Sequence, residues 1–115
     1  MQEQRQSEPA NKFDGTKDKL RWDLLPVQAL EEVVKVYSRG AKKYGDRNWE
    51  SGMSWSRFFA AAMRHLWAFW RGETYDKETG LSHTAHAAWN CLALTQFLFT
   101  QQKFDDRIKC GKKNE

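Results

Sequence analysis

Three histidines, His65, His83 and His86, fall within 22 consecutive residues of a 115-residue chain that has no others. Glu73, Asp76 and Glu78 lie between the first and the second, Arg64 precedes the group and Asn90 follows it. Neutral imidazole and carboxylate together are a common ligand set for divalent ions. A segment that gathers both types is a candidate metal site. The same residues also fit a plainer arrangement, in which polar groups turned inward satisfy one another by hydrogen bonds.

The elements that must position these groups follow from periodicity. His83, His86 and Asn90 are spaced i, i+3, i+7, so on a helix they fall within about 60° of one another. Leu94 and Phe97 continue that stripe, which turns it toward the body of the protein. A helix is predicted over 83–102, capped by Ser82. Ala87, Leu94 and Phe97 lie on one side of it and Trp89, Leu92 and Phe99 on the other, so it must be covered by two layers. His65 flanks the aromatic face of a helix predicted over 55–71, with Ser54 as N-cap and Gly72 as its stop. That face holds Trp55, Phe58, Phe59, Ala62, Leu66, Phe69 and Trp70. A helix over 26–44 starts on Pro26, stops at Gly45 and carries a stripe of Leu30, Val33, Val34, Tyr37, Ala41 and Tyr44. Glu31 and Glu32 near its start complement the helix dipole, and Glu31 supports Lys35 one turn on. Both are also candidate metal ligands.

No strand pattern stands out, so the fold class is all-α, with three main helices. Length allows one domain, expected over 12–102, with a polar tail over 1–11 and a charged tail over 103–115. The stretch 13–25 reads as an ordered loop anchored by Phe13, Leu20, Trp22 and Leu24. Six Trp, seven Phe and three Tyr are much aromatic area for such a chain, which points to a homo-oligomer. Cys91 and Cys110 show no paired spacing, so a reducing, cytoplasmic setting is expected. No apolar run is long enough to cross a membrane, and 1–12 lacks the apolar centre of a signal peptide.

The net charge of +4 suits anionic partners. Lys42, Lys43 and Arg47 stand beside Tyr44, Asn48 and Trp49, and Lys17 and Arg21 lie in the preceding loop. Cations bind phosphate, Asn reads a base edge and an aromatic stacks on a base. Lys17, Arg21, Lys43, Arg47 and Arg64 are therefore candidates for phosphate contact, and Asn48, Trp49 and Asn90 for the rest of a nucleotide. A Walker loop, a G-x-G-x-x-G run, H-E-x-x-H, a His-Asp dipeptide and a paired-cysteine zinc pattern are all absent.

The ordered strings KFDGTKDKLRWDLLP (12–26), ALEEVVKVYSRGAKKYGDRNWE (29–50), WSRFFAAAMRHLWAFWRGE (55–73) and DKETGLSHTAHAAWN (76–90) resemble a phage-encoded family of dATP/dGTP diphosphohydrolases. The resemblance covers roughly residues 12–100. It implies a MazG-like helical bundle completed by oligomerisation. It implies cleavage of purine deoxynucleoside triphosphates to monophosphate and pyrophosphate with Mg²⁺ or a similar ion; histidine ligands would shift the preference toward Mn²⁺ or Co²⁺. Glu32, His65 and His86 are then the catalytic candidates, and Glu31, Glu32, His65, Asp76, Glu78 and His86 the metal candidates. The chain departs from the MazG-like pairing of E-x-x-E with E-x-x-D, because positions 34 and 35 are Val and Lys. Two other readings stay open here, a nucleotide-binding protein that does not cut its ligand and a nucleic-acid-binding accessory protein. The third helix carries no continuous basic face, which disfavours nucleic acid.

Overall fold

The computed structural model describes residues 19–109. Three helices carry the fold: α1 (Val27–Tyr44), α2 (Trp55–Trp70) and α3 (His83–Thr100). Short 3₁₀ turns cover Trp22–Leu24, Asn48–Ser51 and Gln102–Phe104. No strand is present among the described residues; Tyr75 and Ser82 form one isolated antiparallel bridge that closes the loop between α2 and α3. The fold class is all-α.

Local chemistry sets most of the boundaries. Gly45 ends α1 in a positive-φ conformation (φ 100°) that a side chain would resist, and its N–H bonds back to the Ala41 carbonyl. Ser82 caps α3 by accepting the Ala85 N–H at 3.1 Å. Ser54 occupies the cap position of α2, yet its side chain makes no capping bond. Asp106 does that job from the far end of the chain. It accepts the Ser56 N–H at 2.9 Å and the Ser56 hydroxyl at 2.6 Å, placing a carboxylate where the helix dipole favours one.

The core lies between α2 and α3. Trp55, Phe58, Ala93 and Phe97 are buried together, and Trp49, Trp89, Leu94 and Phe104 pack against them. The Phe58 and Phe97 rings meet edge to face at 5.0 Å, and Phe58 stacks on Trp89 at 5.9 Å. Tyr37 brings α1 in through Trp49 and Trp89, each at 5.9 Å. The Trp55 indole N–H donates to the Gln101 carbonyl at 3.1 Å, and the Gln101 amide donates to the Glu50 carbonyl at 2.9 Å. These bonds lock the end of α3 over the start of α2.

Two expectations change here. The segment after α3, expected to fray from 103 onward, is held down through 106. Phe104 joins the core and Asp106 caps α2, while the Arg107 guanidinium lies 5.0 Å over the Trp55 ring. The tails 1–11 and 110–115, and Phe13 and Lys17 with them, lie outside the described residues. The second change concerns cover. Within the expected stripe of α1, Leu30, Val34 and Tyr44 remain exposed, and the one buried residue of the helix, Val36, lies outside that stripe. Phe59 and Trp70 on α2 and Leu92 and Phe99 on α3 are exposed as well. Among the described residues a single layer packs against α2 and α3, and their outer apolar faces stay uncovered. No described helix is long and apolar enough to cross a membrane.

Candidate functional site

α2 delivers His65, α3 delivers His83 and His86, and the loop between them delivers Glu73 and Asp76. The loop is a folded object. Gly80 takes a positive φ (74°) and donates its N–H to the Asp76 carbonyl at 2.7 Å. Asp76 accepts the Thr79 N–H at 2.9 Å, and the Thr79 hydroxyl accepts the Leu81 N–H at 3.1 Å. The His83 N–H donates to the Thr74 carbonyl at 2.9 Å, which fixes where α3 begins. Asp76 is therefore held rigidly against the histidines.

The three imidazoles touch. His65 stacks on His86 with centroids 4.5 Å apart and an interplanar angle of 8°. His65 Nδ1 lies 2.9 Å from His83 Nδ1. His83, only 5% exposed, reaches a Glu73 carboxylate oxygen at 3.0 Å through Nε2. A carboxylate can only accept, so His83 donates Nε2–H to Glu73. With Nε2–H committed to Glu73, His83 can accept at Nδ1 the Nδ1–H of His65. His86 Nε2 lies 2.7 Å from the Thr79 hydroxyl.

This arrangement passes a test for a metal centre. One ligand atom from each of His65, Asp76 and His83 lies within 4.8 Å of the others. Two nitrogens about 2.1 Å from one ion, at right angles to each other, stand about 3.0 Å apart, so the observed Nδ1–Nδ1 spacing suits a shared ion. Glu73 stands behind His83, where a carboxylate would fix the tautomer of an imidazole that held an ion.

Electrostatics favour the same state. Burial pushes the His65 imidazole below its ordinary 6.5, and the two neighbouring imidazoles push it further. Burial also pulls His86 down, against the opposing pull of Asp76. Burial pushes the Asp76 carboxyl up, but the Thr79 hydrogen bonds and the nearby imidazoles outweigh it and hold it low. The hydrogen bond from His83 holds Glu73 low. Near neutral pH His65 and His86 are thus neutral beside the ionised carboxylates of Asp76 and Glu73.

The depressed histidines predict a pH dependence. The unfolded chain takes up protons at the ordinary imidazole value while the native cluster refuses them. Stability from His65 and His86 is complete above 6.5 and is lost as pH falls through that value toward their depressed native ones. Urea midpoints should fall between about pH 7.5 and 5.5, and His65→Gln/His86→Gln should flatten that fall. An unchanged slope in the double variant would refute the assignment.

Among the candidate residues, the structure brings together His65, His86 and Asp76. It adds His83 and Glu73, which stand in the sequence cluster but not among the metal candidates drawn from it. His86 is not one of the three converging donors; it turns Nε2 to Thr79. Glu31 is exposed, Glu32 holds Lys35 at 2.8 Å, and Glu78 faces Lys43 at 3.7 Å, all apart from the donor triad. Asn90 is buried, but its amide donates to the His86 carbonyl of its own helix at 2.9 Å. Arg64 is exposed, Arg21 is paired with Asp23 at 2.8 Å, and Arg47 is paired with Glu50. Asn48 is exposed in its 3₁₀ turn. Trp49, expected against a base, spends its ring on the core, 6.0 Å from Phe97.

Comparison with known proteins adds a family. The sequence model described as dATP/dGTP diphosphohydrolase, N-terminal, matches residues 8–107. A dATP/dGTP diphosphohydrolase of Salmonella phage PMBT28 is 36% identical over 96 residues, which is 84% of this chain and 32% of that protein. The chain thus spans about a third of the length of the curated relative it matches. No solved structure matches.

Proposed function

The chain belongs to the family described as dATP/dGTP diphosphohydrolase, N-terminal, and from that premise we propose that it hydrolyses purine deoxynucleoside triphosphates to monophosphate and pyrophosphate with a divalent ion. The observation that carries this reading is the convergence of His65, Asp76 and His83 within 4.8 Å. Those three would hold the ion, with Glu73 orienting His83. When bound, the ion supplies positive charge at the phosphate oxygens. Two imidazoles in the donor set favour Mn²⁺ or Co²⁺ over Mg²⁺, which prefers an all-oxygen shell.

The bond changes are those of attack at the α-phosphorus. A water oxygen bonds to that phosphorus, the bond to the α,β-bridging oxygen breaks, and pyrophosphate leaves with the electron pair. The water's proton needs an acceptor. His86 suits that role, being neutral near pH 7, stacked on His65 and outside the donor triad. If it donates Nε2–H to the Thr79 oxygen, its Nδ1 stays bare and basic.

The uncovered apolar face supports a second part of the proposal, a homo-oligomer. Phe59, Met63, Leu66 and Trp70 form one stripe on α2 at i, i+4, i+7, i+11, and Trp70 is 79% exposed. A second copy presenting the same stripe would bury it in an isologous contact.

Product analysis tests the activity. With dATP or dGTP and Mn²⁺ or Mg²⁺, monophosphate and pyrophosphate should appear in equal amounts, and a chelator should stop the reaction. Stepwise orthophosphate would mean attack at the γ-phosphorus instead. Tight nucleotide binding without product under any ion would leave a binding protein whose histidine cluster is a self-satisfied hydrogen-bond network.

A further inference from the structure

A second concave site borders Thr79. A cavity of about 350 Å³ opens between α1 and the loop, lined by Lys35, Ser38, Arg39, Lys42, Thr79 and Leu81. The three cations are spaced i, i+4, i+7 on α1, so they share one helix face. Ser38 and Thr79 add hydroxyls. Two carboxylates are close by. Glu32 engages Lys35 at 2.8 Å, and Glu78 engages Lys43, outside the lining. Among the described residues, neither Arg39 nor Lys42 has a carboxylate within 4.0 Å. The cavity therefore carries a net positive charge with no internal counter-charge for two of its cations.

We propose that this cavity is a polyphosphate site, which takes pyrophosphate and, on the hydrolytic reading above, seats the β- and γ-phosphates of the substrate. Its volume is at the small end for ligand pockets, enough for linked phosphates. Its donors are of the right kind. Arg39 can fork onto two phosphate oxygens, Lys35 and Lys42 act as point charges, and Ser38 donates a hydroxyl proton. Thr79 joins the two sites physically, since it lines the cavity and its hydroxyl meets His86 at 2.7 Å. The charge on Arg39 is felt at the His86 imidazole, which it pushes downward. A nucleotide whose β- and γ-phosphates sit here would direct its α-phosphorus toward the histidines, and the leaving group would already be held by cations as its negative charge grows.

The test is calorimetric titration of the metal-free full chain with inorganic pyrophosphate and, separately, orthophosphate. Wild type should bind pyrophosphate the more tightly, and less so as salt is raised. Arg39→Gln and Lys42→Gln should each weaken binding by about tenfold, and Arg39→Lys should recover part of the loss. Arg57→Gln, an exposed change on α2, should leave it unchanged. The nucleotide dATP should displace pyrophosphate. Equal affinity of wild type and the Arg39→Gln/Lys42→Gln variant overturns the site, as does a wild type that prefers orthophosphate. Pyrophosphate bound here but not displaced by dATP overturns its assignment to the substrate's β- and γ-phosphates. The two proposals can fail separately. Arg39- and Lys42-dependent binding in a chain that never cleaves nucleotide keeps the site and removes hydrolysis. Turnover with an unchanged KM in the double variant keeps hydrolysis and removes the site.

Discussion

His83→Ala is expected to lower Mn²⁺-supported turnover of dATP by more than about a hundredfold, above the 10–100-fold typical for loss of a partner that only orients a metal ligand. The reason is double. The substitution deletes a converging donor, and it strands Glu73, whose carboxylate is held low by that imidazole. His83 is buried, so its removal also tests the fold. Asp76→Asn therefore runs beside it, keeping shape and the bond from Thr79 while removing the charge. Both should weaken Mn²⁺ binding measured directly, with the helical circular dichroism near wild type. Glu73→Gln should fall between them and wild type, because it touches only the tautomer and basicity of His83. The opposite ranking, with Glu32→Gln stopping turnover and His83→Ala sparing it, would move the chemistry to α1 and leave the histidines a structural network.

The helices were legible because their signals are local. The predicted spans 26–44, 55–71 and 83–102 differ by at most two residues at either end from Val27–Tyr44, Trp55–Trp70 and His83–Thr100. Periodicity, Ser82 and Gly45 carry that information within a few residues of each boundary. What failed depends on distance along the chain. The sequence offers Ser54 as a cap, and the bonds come instead from Asp106, some fifty residues away. Spacing put His83 and His86 on one face, but which of them converges with His65 depends on how α2 and α3 cross. Glu73 and Asp76 sit in a loop, where no period says which carboxylate turns inward; the Thr79 and Gly80 bonds decide it. Lys35, Arg39 and Lys42 share a helix face by spacing, but that Thr79 and Leu81 of the loop make a cavity against that face depends on tertiary packing. Trp49 was assigned to a ligand because it sits among polar residues, and the aromatic core claims it through contacts with Tyr37, Trp89 and Phe97.

Phe97→Ala and Phe99→Ala, two residues apart on α3, are expected to differ by several kcal/mol. Phe97 is 0% exposed and its ring meets Phe58 at 5.0 Å and Trp49 at 6.0 Å. Truncating it loses the transfer free energy of the ring and opens a cavity between helices pinned by the Trp55 and Gln101 bonds, so collapse is limited. A cost of about 3–5 kcal/mol follows, read as a drop in the urea midpoint at unchanged slope. Phe99 is 80% exposed within one chain and would then cost less than about 0.5 kcal/mol. If a second copy covers the outer face of α3, the Phe99 effect grows and the stability of the wild type rises with protein concentration. Sedimentation distinguishes these cases, since Phe99→Ala should then shift the assembly toward monomer while Phe97→Ala lowers the stability of every species. Equal costs at the two positions, at low concentration where only monomer is present, would mean that the core does not lie between α2 and α3 as described.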